Sequence, residues 1–164
     1  MKYLGHVAAG CGVVAVILSL AACKSDKVSA ADALSQAEAE KMAAQITIDH
    51  CSDASGIKQT VKLGTPDPNG HIREKHGAVK VYPIQVTWTG DCSDKQMGRT
   101  DYYANINAKY TASFYRNDFG DWAHTPYVGQ CSRSKVAYQV DGQGKTEIPN
   151  PPVDSCALKD LSSQ

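Results

Sequence analysis

Between residues 102 and 115 the chain alternates with a period of two. Tyr102, Ala104, Ile106, Ala108, Tyr110, Ala112 and Phe114 share one parity; Tyr103, Asn105, Asn107, Lys109, Thr111, Ser113 and Tyr115 share the other. This pattern predicts an antiparallel strand with one buried and one wet face. Upstream, Ile57, Val61 and Leu63 alternate with Lys58, Thr60 and Lys62 and predict a first strand. Residues 79–89 predict a second, whose apolar parity shifts around Pro83 from Val79 and Val81 to Ile84, Val86 and Trp88. A bulge or an edge position is expected there, since both accommodate proline. Asn117, Asp118, Phe119 and Gly120 predict a hairpin turn leading into a strand through Trp122. Residues 135–140 form a further strand, Asp141-Gly142 a turn and residues 145–148 a short return. Asn150-Pro151-Pro152 is expected to end regular structure and leave an irregular C-terminal tail.

Before the strands, residues 29–46 read as one helix rich in Ala, Gln, Glu and Lys. Ser29 and Asp32 form an N-terminal capping pair, and Ala31, Leu34, Met42 and Ile46 share a thin apolar face suited to packing on a sheet. The expected fold class is therefore α+β: one N-terminal helix packed on an antiparallel meander of about four to six strands. This element order, over residues 29–148, resembles the cystatin-like and NTF2-like group, in which a curved sheet wraps a helix. The resemblance implies a sheet cavity for a small ligand. The Gln-x-Val-x-Gly hairpin of protease-inhibiting cystatins is absent, so protease inhibition is not implied.

The N-terminus has a different character. Residues 1–6 carry Lys2, and residues 7–20 are apolar and uncharged, too short for the roughly 20 residues of a spanning helix but suited to a signal peptide. That run ends in Leu20-Ala21-Ala22-Cys23, which resembles the bacterial lipobox. The resemblance implies a signal peptide at 1–22, lipidation of Cys23 with diacylglycerol and an N-linked acyl chain such as palmitate, a tether at 23–28 and a single domain at 29–164. Two or more acyl chains hold a protein durably on a bilayer, whereas one does so only marginally. The membrane is thus one partner, reached through the lipid. Lys24 stands where an aspartate would retain such proteins at the inner membrane, so in a two-membrane cell the resemblance implies the periplasmic face of the outer membrane.

Without its first 22 residues the 164-residue chain keeps 142, the size of one domain. Sixteen basic residues then face seventeen acidic ones, a balance that argues against a nucleic-acid partner or a polybasic hold on lipid. Of six cysteines, Cys11 leaves with the signal and Cys23 takes the lipid. Cys51, Cys92, Cys131 and Cys156 remain, an even number without a CxxC spacing, and predict two disulfides in an oxidising compartment. The sequence-nearest pairing, Cys51–Cys92 with Cys131–Cys156, is preferred among three connectivities.

Little in the chain asks for catalysis. There is no nucleophile elbow, no phosphate-binding glycine loop and no marked carboxylate pair, so no catalytic residue, cofactor or metal is assigned. His71 and His76 share a long polar segment, 64–77, with Arg73, Glu74 and Lys75, but their spacing fits no familiar ligand motif. That segment is the candidate recognition loop, because long polar loops on a rigid sheet often carry binding. The expected function is a membrane-anchored, non-enzymatic envelope module that binds a protein or cell-wall partner. The alternative is a small-ligand pocket of NTF2-like shape, with or without catalysis.

Overall fold

A computed structural model of the chain describes residues 33–73 and 75–161. The signal segment, Cys23, the tether, Glu74 and the first residues of the expected helix lie outside the described residues. Leu34 opens the compact unit that forms the domain.

The domain is mostly β, which corrects the expected α+β meander. Its only described helix, α1 (Gln36–Ala43), is eight residues long. The cap is Ser35: its hydroxyl accepts from the Glu38 amide and the Glu38 carboxylate accepts from the Ser35 amide, a complete capping box. The helix stops at Ala44 because the β-branched run Ile46–Ile48 forms strand β1 instead. The helix buries Ala39 and Ala43, not the expected face of Ala31, Leu34, Met42 and Ile46: Met42 is half-buried, Ile46 belongs to β1 and Ala31 lies outside the described residues.

Two strands dominate, β4 (Ala78–Gln96) and β5 (Arg99–Arg116), of 19 and 18 residues. They form one hairpin closed at Met97-Gly98, with Gly98 at φ +78° as such a turn requires. Residues 90–101 are rich in Gly, Asp, Ser, Lys and Gln, which have low strand propensity; mutual pairing across the turn makes them strand. β2 (Ile57–Leu63) and β3 (Asp67–His71) pair along the outer edge of β4. Along the opposite edge of β5 lie β6 (Trp122–His124), β7 (Val128–Ser134) and β8 (Val136–Asp141) in succession. β9 (Gly144–Glu147) extends β8 and β10 (Val153–Ser155) extends β7, giving a nine-stranded antiparallel sheet. A separate ribbon pairs β1 with β11 (Leu158–Asp160). The tail after Pro152, expected to be irregular, thus carries two short strands.

The expected loop at 64–77 is also corrected, since β3 lies within it. Gly70 makes the pairing close: a Cβ there would stand 2.2 Å from a Val81 methyl. Ile72 then buries against Val81 and Tyr115 in a small second core. This explains the parity shift near Pro83. The register of β4 on β5 is unbroken from Val81 to Gly90, and β4 serves two cores from its two faces. Neither a bulge nor an edge occurs at Pro83.

The main core joins α1, β1 and β11 to the inner face of the sheet, where Ile106, Ala108, Ala112 and Phe114 are buried beside Ile84, Val86 and Trp88. The disulfides are Cys51–Cys92 and Cys131–Cys156, the sequence-nearest pairing. The first fastens the segment before β2 to β4. The second fastens the C-terminal tail to β7.

Candidate functional site: a tyrosine and aspartate cleft on the outer face of the sheet

The site originates in a bulge. On β4 the register advances from Gly90 to Cys92, while on β5 it advances from Ile106 to Tyr103, one residue more. Asn105, at φ +57°, absorbs the extra residue; asparagine tolerates this left-handed conformation better than most side chains. Beyond the bulge the parity of β5 is reversed. Tyr103 and Asp101 take the side of Cys92, and Tyr102 turns to the outer face.

Register then places one row of side chains across that outer face. Glu147 stands opposite Tyr138, Tyr138 opposite Tyr102, Tyr102 opposite Ser93, and Ser93 opposite Asp53. The Tyr102 and Tyr138 rings stack at 4.2 Å with an interplanar angle of 12°. Lys145 Nζ lies 4.3 Å from the Tyr138 centroid. The gap between the stacked rings has no room for an ammonium, so Lys145 covers the opposite face of Tyr138. Its Nζ also pairs with Glu147 at 2.8 Å.

Tyr102 and Tyr138 both line a cleft of about 200 Å³ that opens over the small side chain of Ser93. Asp53 and Ser55 border it across from the tyrosines, Asp91 borders it at the bulge, and Cys92 joins its lining. The far wall is held rigidly. Asp53 and Ser93 exchange backbone hydrogen bonds at 2.9 and 3.1 Å, Ser52 Oγ accepts from the Lys95 amide at 2.9 Å, and Cys51–Cys92 lies directly beneath. Gly56 and Gly90 let the two backbones meet, since a Cβ on Gly90 would stand 2.2 Å from the Gly56 carbonyl oxygen. Hydrogen bonds from Ser55 hold the Asp53 carboxyl below the usual carboxylate range. Asp91 Oδ1 accepts from the Asn105 amide at 2.9 Å, so the bulge positions this carboxylate too. The residues lining the cleft include two aspartates and no lysine, arginine or histidine.

The inner side of the same region is structural in character. Asp94 and Asp101 stand opposite one another and are both buried. Arg99 Nε, 3.0 Å from Asp101, offsets its charge and Gln139 Nε2 donates to it at 2.8 Å; Gln96 donates to Asp94 at 2.6 Å. His50 lies 3.5 Å from Asp94 and 3.6 Å from Asp49, too far for good hydrogen bonds. Arg133 packs 3.8 Å over the Tyr103 ring and donates to the carbonyls of Asp49 and His50.

The residues of the expected recognition loop do not meet this cleft; they belong to the opposite end of β4. His71 is in β3, exposed and paired with Ala78. Arg73 and His76 are exposed, and Glu74 lies outside the described residues. Lys75 is largely covered and pairs with Asp118 at 2.7 Å, tying this segment to the β5–β6 turn. Of the disulfide cysteines only Cys92 lines the cleft, with Cys51 bonded behind it, whereas Cys131 and Cys156 lie elsewhere. Sequence patterning missed Asp53, Asp91, Ser93, Tyr102 and Tyr138. It assigned Tyr102 to the buried parity, and the one signal of reversal was an asparagine inside an alternating strand.

No family model, curated protein or solved structure matches this chain.

Proposed function

We propose that the chain is an envelope lipoprotein, lipidated on Cys23, whose disulfide-stapled β-domain is a non-enzymatic binding module that takes its ligand in the Tyr102–Asp53 cleft. One observation carries the choice of site: an aromatic wall and two positioned carboxylates converge on a cleft whose walls a disulfide and a backbone bridge hold in place. Preorganisation of this kind favours binding, because little conformational freedom is lost when a ligand enters. The two disulfides fit an oxidising compartment, in keeping with export. The chain between Cys23 and Leu34 reaches at most about 40 Å, so a lipid on Cys23 would tether the domain to the bilayer within that reach.

The experiment is photo-crosslinking in living cells from residues 55 and 138, with residue 76 as the control. A specific adduct from the cleft positions and none from the control supports the reading. Adducts from residue 76 alone return recognition to the 64–77 segment and refute the cleft. Cys23→Ser tests the anchor in the same cells: release of the protein into the soluble fraction is expected, and an unchanged membrane fraction refutes lipidation.

A further inference from the structure

The cleft also has a chemical preference. We infer that its ligand presents a cationic tip, an alkylammonium or a guanidinium, which lies against Tyr102 between Asp53 and Asp91. This rests on the reading of the cleft as the binding site and specifies what it accepts.

Three observations converge on a cation. The first is charge: two aspartates border the cleft and, among the described residues, no basic side chain lines it. Two of the basic residues nearby are engaged elsewhere. Lys145 is paired with Glu147 on the far face of Tyr138, and Arg133 is stacked on Tyr103 and bonded to backbone carbonyls. Lys95 acts on Asp53 only as a secondary influence, behind the hydrogen bonds from Ser55. The second is the aromatic wall. A tyrosine face carries negative quadrupole charge and attracts cations. This two-ring stack already holds a cation at one end, where Lys145 covers Tyr138. Tyr102 is the other end, and next to it in the row stands only the small side chain of Ser93.

Size is the third. About 200 Å³ is ample for a guanidinium or a short alkylammonium. A carboxylate on each side of a planar cation suits charge-assisted hydrogen bonds in the plane while the tyrosine covers its face. An anionic ligand would meet two carboxylates with no cation to offset them. A neutral isostere would keep the stacking and lose the charge assistance.

The test is a titration of the full-length protein in detergent micelles, read by amide chemical shifts at residues 53–56, 91–93 and 102. The probes are methylguanidinium, n-butylammonium and the neutral isostere N-methylurea. Saturable shifts with the two cations and none with N-methylurea are expected. Asp53→Asn, Asp91→Asn and Tyr102→Leu should each weaken methylguanidinium binding by about tenfold, roughly the effect of one charge-assisted contact or one cation–aromatic contact. Three variants are used so that a folding defect in one leaves the others to decide. Equal shifts with methylguanidinium and N-methylurea, or unchanged affinity in the folded Asp53→Asn and Asp91→Asn variants, overturn the inference. Absence of shifts with every probe overturns it as well, while crosslinks from residues 55 and 138 would still stand and keep the cleft as the binding site. A tripeptide, acetyl-Gly-Arg-Gly-amide, separates the sources. Tighter binding than methylguanidinium assigns the tip to a partner's side chain, and equal binding assigns it to a free small cation; both support a cationic ligand.

Discussion

Removal of the Cys51–Cys92 disulfide should cost both stability and the definition of the cleft. The bond closes a segment with a sequence separation of 41. By the chain-entropy relation, opening a loop of that length costs about 4 kcal/mol at 25 °C. Both sulfurs are buried, so a Cys51→Ala/Cys92→Ala variant also loses a little packing in the main core. For a domain of this size the loss corresponds to a fall in Tm of roughly 15 °C. The Cys131–Cys156 bond, with a separation of 25, gives about 3.5 kcal/mol by the same relation. The two double variants should therefore be destabilised to similar extents but loosen different places. Losing Cys51–Cys92 should speed amide exchange at residues 52–56 and 91–95, because that wall is then held by hydrogen bonds alone, chiefly the Asp53–Ser93 bridge and the Ser52–Lys95 bond. Losing Cys131–Cys156 should instead free residues 153–160, whose strands β10 and β11 have three residues each. Urea denaturation and native-state hydrogen exchange on both variants are the assays. A loss below about 1 kcal/mol in the first variant, with exchange at Asp53 and Ser93 unchanged, would refute the idea that this disulfide defines the cleft.

Gly90→Ala should destabilise by about 1–3 kcal/mol, because φ +128° suits glycine alone and the new Cβ would collide with the Gly56 carbonyl; wild-type stability in urea would refute the close approach. Arg99→Gln should cost about 1 kcal/mol by leaving Asp101 less compensated beside Asp94, and adding Asp94→Asn should recover most of it. A double-mutant cycle with no coupling would show that the two carboxylates do not sense one another. Tyr127→Phe should be neutral or stabilising at pH 7, because the buried Tyr127 hydroxyl has no partner among the described residues. Burial, with Asp160 adding to it, raises the Tyr127 pKa from 10.0 to about 12. The folded state therefore keeps a proton that the unfolded chain has released, and this contribution to stability is full below pH 10 and lost as pH rises to 12. Urea melts at pH 7, 10 and 12 should show a smaller alkaline loss in Tyr127→Phe than in wild type. A loss of more than about 1 kcal/mol at pH 7 would mean that the hydroxyl is hydrogen-bonded after all.

What could be recognised in the sequence divides by the range of the forces involved. The alternation from Ile106 to Phe114 reports burial on one face, and the domain buries Ile106, Ala108, Ala112 and Phe114 and half-buries Tyr110. The Asn117 to Gly120 turn carries its own chemistry: Asn117 Oδ1 accepts from the Phe119 and Asp121 amides, and Gly120 sits at φ +82°. The start of α1 was equally local, since Ser35-x-x-Glu38 is a complete capping box, whereas Ser29 and Asp32 offer only a weaker pair. The length of that Ala-rich stretch drew the expected helix beyond its true ends. β3 is different in kind. Asp-Pro-Asn-Gly-His has no strand propensity, and it becomes strand because β4 offers an unpaired edge and Gly70 can lie against Val81.

The cleft was hidden for a related reason, and the reason bears on how the site works. Period-two alternation carries a parity forward only while the register is unbroken, and one extra residue at Asn105 reverses every side chain beyond it. Without the bulge, Tyr102 would share the face of Ile106 and Ala108. With it, Tyr102 stacks on Tyr138 outside, and Tyr103 turns inward beneath Arg133. The same bulge supplies the Asn105 amide that orients Asp91. A single backbone irregularity thus positions both the aromatic wall and one of the two carboxylates, while the disulfide and the Asp53–Ser93 bridge position the other. The two carboxylates are set by separate devices, so loosening one leaves part of the site intact. Cys51→Ala/Cys92→Ala should therefore weaken cation binding through Asp53 and keep the Tyr102–Tyr138 stack, whereas deletion of Asn105 should remove the stack and leave the disulfide formed.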